Sequence, residues 1–255
     1  MDQVAEFVLD VHNRLFDQHD RTVLETEFAE DFVEHSPLVA GDAQGLATLV
    51  EECGEGLRHR NSRVLSDGDL VALHGSFVGL DETELVGFDI YRVRDGKIVE
   101  HWDTLVPRQE PNASGRTQLA GPIEVIDRER TEANRELVTD FFIRTLIGGD
   151  YEGFREFTRD GVFLQHSPDI ADGVEAVVDF LEDLRTSGEG LVYDRTHRTI
   201  ADGQFVLTHS EGSINGKRHS YCELWRVEDG AIVELWDAIA EVPSDLDAVH
   251  SRGVF

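Results

Sequence analysis

Apolar residues near the start of the chain fall at helical spacing: Val4, Phe7, Val8, Val11, Leu15 and Phe16. That spacing puts them on one face of a helix. Leu137, Val138, Phe141, Phe142 and Leu146 repeat the pattern, and Gly148-Gly149 is a stop signal. Shorter helices are expected around residues 24–28 and 151–157, and longer ones over 45–57 and 173–184. The period then changes to two. Residues 69–78, 84–94 and 97–106 read as strands, the last two joined across Asp95-Gly96, a strong hairpin signal. Asp229-Gly230 repeats that turn. Helices followed by an antiparallel meander predict an α+β domain, with helices on one face of a curved sheet around a conical pocket.

The pattern occurs twice because the sequence does. Residues 88–103 return without a gap as 222–237, residues 66–74 as 201–209, and His35-Ser36-Pro37 as His166-Ser167-Pro168. Two repeats are too few for a solenoid and are read as two domains. Pro107, Pro111 and Gly121-Pro122 mark the break between them. The expected layout is a first domain over 1–110, a linker over 111–130, a second domain over 131–245 and a peripheral acidic tail over 246–255. A covalent tandem would also let the copies pair as an intramolecular pseudo-dimer; homodimerisation of whole chains is left open.

Length and composition agree with two domains of ordinary core size, at 255 residues and 40% hydrophobic content. Charge adds a second constraint. The chain has 52 acidic and 23 basic residues, a net charge of −29, and Lys97 and Lys217 are its lysines. The acids are spread along the chain rather than gathered in a tail. Such a surface is suited to a salt-rich cytosol of the haloarchaeal kind, where screening is short-ranged. It excludes a nucleic-acid partner, which needs a basic footprint. No apolar run suits a membrane span, and the acidic start of the chain does not resemble a secretory leader, so a cytoplasmic protein is expected. Cys53 and Cys222 sit at non-equivalent places and predict neither a disulfide framework nor a zinc site.

Strand alternation brings the candidate chemistry together. His101 and Asp103 share one face of the last strand of the first copy, and Asp89 and Tyr91 share a face of its hairpin partner. His74 on the preceding strand and His35 at the helix-to-sheet junction are placed on the same wall. Carboxylates and imidazoles in an apolar cavity suit proton transfer beside a carbonyl, because a desolvated Asp is a stronger base than one in water. No close His/Asp spacing is diagnostic of a metal, so neither metal nor cofactor is expected. The second copy keeps His166, His209 and Asp237, but Glu223 replaces Asp89 and Leu235 replaces His101. It reads as a degenerate, structural copy.

The His35-Ser36-Pro37 motif, the strand over 67–74 and the block over 88–103 resemble SnoaL-like proteins of the nuclear-transport-factor-2-like (NTF2-like) superfamily, and the second copy resembles them in weaker form. The resemblance implies two NTF2-like cone-shaped domains. It further implies a polyketide-cyclase-like, metal-free acid/base reaction of the aldol or isomerase type on a small hydrophobic or carbonyl-containing ligand. By that resemblance Asp103 is the general acid/base with His101 as its companion; His35, His74, Asp89 and Tyr91, from their place on the same wall, are read as substrate-binding. The alternative is a non-catalytic small-molecule binding protein. Epoxide hydrolysis ranks last, because Arg92 and Arg94 fall on the face opposite Asp89.

Overall fold

The computed structural model describes residues 2–159, 161–188, 190–244 and 246–255. The chain divides into two compact units, Met1–Arg108 with Val242–Phe255, and Gln109–Glu241.

In the first unit α1 (Gln3–Phe16) opens on the Asp2 side chain, which accepts from Ala5 N, and buries Val8, Val11, His12 and Leu15. It is followed by α2 (Val23–Thr26), β1 (Phe28–Glu34) and α3 (Ala43–Cys53), the last capped by Asp42. Four antiparallel-paired strands complete the unit: β2 (Arg58–Asp67), β3 (Leu70–Val78), β4 (Leu85–Arg94) and β5 (Lys97–Pro107). Sheet order is β1-β5-β4-β3-β2. The first strand therefore lies beside the last, and their pairing is parallel, with Glu34 opposite His101. The sequence pattern predicts only the meander; β1 and β2 are additions to it. Both are rich in charged residues, and their pattern of burial is irregular.

The Asp95-Gly96 turn is as expected: both residues have positive φ, 53° and 74°, the conformation of a tight two-residue hairpin. A bulge follows it. Val93 pairs with Ile98 whereas Arg92 pairs with Glu100. The extra residue changes the strand's parity, so Ile98 joins Val71, Leu73, Phe77 and Tyr91 in the core beneath the helices.

The second unit repeats the plan with α4 (Thr131–Phe141), whose last turn widens into a π-helical segment at Phe142–Ile147, and a 3-10 helix at Tyr151–Glu156. Then come β6 (Leu164–Gln165), α5 (Val174–Ser187), β7 (Leu191–Asp202), β8 (Phe205–Ile214), β9 (Lys217–Glu228) and β10 (Ala231–Glu241). Its sheet order, β6-β10-β9-β8-β7, matches the first. Both units are thus α+β domains with helices on one face of a five-stranded sheet.

Residues 111–130, expected as a linker, are hydrogen-bonded into the second unit. Asn112 Nδ2 donates to the carbonyls of Gln165 and Ile170, and Trp236 Nε1 donates to Ala120 O. The C-terminal segment returns to the first unit, where His250 Nε2 meets Ser36 O at 2.9 Å and His35 Nδ1 meets Gly253 O at 2.9 Å. Among the described residues no helix is long and apolar enough to cross a membrane.

Candidate active site

Two strand pairings build the site in the first unit. Asp89 lies opposite Asp103 and Tyr91 opposite His101 across β4 and β5. On the other side of β5, the parallel partner β1 places Glu34 beside His101. His101 Nδ1 is 2.9 Å from each Glu34 carboxylate oxygen, and its Nε2 is 3.2 Å from Asp89 Oδ1. The ring stacks on Tyr91 with centroids 4.4 Å apart. Glu34, Asp89, Tyr91 and His101 are all buried.

Burial disfavours a charged imidazole, but Glu34 and Asp89 outweigh it and hold His101 well above the ordinary histidine value. Both ring nitrogens of His101 thus face carboxylates, an arrangement that favours the charged ring. Asp103 keeps some accessible surface, unlike its neighbours. It still lies deep enough for burial to push its carboxyl up to about 7; Asp89 and Glu34 add to the rise, while His101 and a hydrogen bond to the Ser36 side chain oppose it. Tyr91 is raised well above the usual phenol value by burial and by the nearby carboxylates, and stays neutral. Its hydroxyl is 2.7 Å from His12 Nδ1.

The structure thus brings His101, Asp103, Asp89 and Tyr91 together. It places His35 and His74 on the opposite face of the sheet. His35 stacks on Trp102, whose side chain leaves β5 on the side away from His101 and Asp103. His74 pairs with Phe88, stacks on its ring and contacts Arg63, whereas the neighbour of Asp89 on β3 is Leu73. The parity error for His74 is one residue in register, which is enough to reverse a strand side chain. In the His35-Ser36-Pro37 motif the serine, not the histidine, serves the acid.

The residues of this site that sequence reasoning missed are Glu34 against His101, Ser36 against Asp103 and His12 against Tyr91. A signal for Glu34 exists in the repeat: where His101 becomes Leu235, Glu34 becomes Gln165, which pairs with Leu235 on β6 and β10.

The second unit keeps the acids without the imidazolium. Glu223 and Asp237 face each other across β9 and β10. Tyr193 OH donates to Glu223 Oε1 at 2.8 Å. Burial pushes Glu223 up to about 8, against the pull of that hydrogen bond, and lifts Asp237 to about 6, against the Ser167 hydrogen bond. His166 and His209 lie on the other face of the sheet: His166 stacks on Trp236 and bonds Glu234, and His209 sits between Arg198 and Ser220.

The model of the SnoaL-like domain matches the chain twice, over residues 9–101 and 138–235. No curated relative matches it. Similar solved structures include IdmH from Streptomyces antibioticus, named as a candidate polyketide cyclase, at 22% identity and a TM-score of 0.35, covering 41% of this chain and 92% of that one. A candidate ketosteroid isomerase from Kribbella flavida is 19% identical with a TM-score of 0.38, covering 45% and 83%. A candidate SnoaL-like polyketide cyclase from Shewanella putrefaciens is 13% identical with a TM-score of 0.35, covering 41% and 90%. With the domain model spanning most of both units, the chain belongs to the SnoaL-like family and carries its domain in tandem.

Proposed function

We propose that the first unit is a small-molecule enzyme that moves a proton at a carbon next to a carbonyl, with Asp103 as general acid/base. The observation that carries this reading is the state of Asp103: the one accessible carboxyl in a buried charged cluster, pushed up to about 7. A carboxyl titrating near neutrality can both take and return a proton.

In the proposed cycle the Asp103 carboxylate removes a proton from the substrate carbon, and the electron pair moves onto the carbonyl oxygen as an enolate. His101 contributes positive charge to that state. Both of its N–H groups are committed to Glu34 and Asp89, so it acts through charge and by positioning, not as a hydrogen-bond donor to substrate. Tyr91, when its oxygen accepts from His12 Nδ1, has its own proton free for the enolate oxygen. Protonated Asp103 then returns its proton, to another carbon in an isomerisation or to the oxygen of a second carbonyl after carbon–carbon bond formation.

The second unit fits a structural role beside this one. Leu235 and Gln165 remove the imidazolium and its counter-ion, and Tyr193 caps Glu223. The test works with the natural substrate unidentified. A panel of cyclic ketones and 1,3-diketones is incubated with the chain in D2O, and exchange at the carbon next to the carbonyl is followed by NMR. Catalysed exchange by the parent chain that disappears in Asp103→Asn supports the reading; exchange surviving in that variant removes Asp103 from the role.

A further inference from the structure

Behind the acid/base cluster lies a second group of polar side chains that the proposed reaction leaves partly unused. α1, β2 and β4 bring His12, His59 and Asp89 together, with one potential ligand atom from each inside a span of 4.8 Å. All three residues are buried, with 1%, 4% and 2% of their surface exposed. Four of their polar atoms have no hydrogen-bond partner among the described residues: His12 Nε2, both ring nitrogens of His59, and Asp89 Oδ2. Buried polar atoms are nearly always hydrogen-bonded, to protein or to an occupant. Four in one place call for an occupant.

The remaining atoms are already tied down. His12 Nδ1 is 2.7 Å from the Tyr91 hydroxyl, and Asp89 Oδ1 is 3.2 Å from His101 Nε2. Metal-binding side chains are characteristically held in this way, one atom on an outer partner and the other free for the ion. His12 and His59 meet edge to face with centroids 4.2 Å apart. The sheet makes room for the second ring. A Cβ on Gly75 would lie 2.4 Å from the Arg60 carbonyl oxygen and 2.7 Å from His59 Nε2, so only glycine fits there.

We propose that His12, His59 and Asp89 form a binding site for one divalent transition-metal ion within the first unit. Two imidazoles and one carboxylate suit Zn2+, Co2+ or Fe2+ better than the all-oxygen preference of Ca2+ or Mg2+. Bonds of about 2.0–2.2 Å draw the ligand atoms closer than their present spread, a movement within reach of side-chain rotation. Three protein ligands leave a position open for water or a ligand oxygen. The site is the first unit's own. At the matching places of the second unit, Phe142 and Tyr193 meet edge to face at 5.3 Å, and Tyr193 satisfies Glu223. The proposal does not rest on Asp103 being a base, since it is read from binding alone.

The experiment titrates the full chain, stripped with a chelator, with Co2+ in molar salt, following visible absorption and confirming stoichiometry by elemental analysis. One equivalent per chain with a nitrogen-ligand spectrum is expected, displaced by Zn2+. His12→Gln and His59→Gln should each weaken binding at least about a hundredfold, while Asp237→Asn and Phe142→Leu leave it unchanged. Circular dichroism of the metal-free variants checks that they fold. If a histidine variant does not fold, ring-nitrogen NMR of the parent chain decides, because shifts of His12 and His59 on adding Zn2+ identify the ligands. Absence of stoichiometric binding, or binding indifferent to both histidines as expected of ions on the acidic surface, overturns the site and leaves water as the occupant.

Discussion

Glu34 and His101 stand opposite each other on parallel strands, and the imidazole Nδ1 lies 2.9 Å from both oxygens of the carboxylate. The pair is fully inside the protein. Removing one member of a buried ion pair strands the other and costs about 3 kcal/mol or more. Glu34→Gln and His101→Leu should each lower stability by this order in denaturant titrations. The double variant, which reproduces the Gln165 and Leu235 of the second unit, should cost much less than the sum. Additive losses would show that the two side chains do not act as a pair. Histidine ring NMR gives a separate readout: in Glu34→Gln the His101 titration should move down, because the carboxylate that most strongly favours its charged form is gone.

Replacing Asp103 by asparagine keeps shape and removes the base. Proton-transfer catalysis by one side chain contributes about 10²–10⁴-fold, so exchange next to a carbonyl should fall by that factor, with Asp237→Asn near the parent rate. The pH profile of the parent has a definite sign. The carboxylate is the active form for proton removal, so the rate should rise with pH through about 7 and then level. A profile flat from pH 5 to 9 would exclude Asp103 as the base.

How much of this was legible in the sequence follows from which elements carry regular periodicity. The hairpin of β4 and β5 is announced by two apolar-rich runs around Asp95-Gly96, and beyond its bulge it delivers Asp89, Tyr91, His101 and Asp103 to one place. β1 and β2 carry charges on irregular positions, and a parallel pairing between β1 and β5 has no local signature at all. Those two strands supply Glu34 and His59. His12 is hidden differently: it sits on the apolar stripe of α1 between Val8 and Phe16, where a buried polar residue looks like an interruption. Ligand atoms drawn from α1, β2 and β4 have no sequence spacing that could announce a metal. His35 and His74 are the converse case, histidines whose contacts lie on the far face of the sheet.

Glu223 yields a prediction about stability rather than turnover. Its carboxyl is raised from 4.5 to about 8, so the folded state holds the proton more tightly than the unfolded chain. The stabilisation is full at low pH and is lost as pH rises through that window. Glu223→Gln, whose amide oxygen can still accept from Tyr193, should be more stable than the parent above about pH 8, by on the order of 5 kcal/mol, with little difference at pH 5. Melting curves across that range test the sign. A variant less stable at high pH would mean that the charged carboxylate has a partner in the fold.

Ser36 and His35 are neighbours in one motif with separable duties. The Ser36 hydrogen bond favours the charged form of Asp103, so its loss should raise the carboxyl further. Ser36→Ala should therefore move the midpoint of the pH–rate profile upward and cost about 1 kcal/mol of stability. His35→Phe keeps an aromatic ring against Trp102 and loses the contact with Gly253 O. It should lower the melting temperature and leave the midpoint where it was. The two measurements together distinguish an acid tuned by its serine from one tuned by the adjacent histidine: a midpoint that moves in His35→Phe and stays in Ser36→Ala would assign the motif's role the other way round.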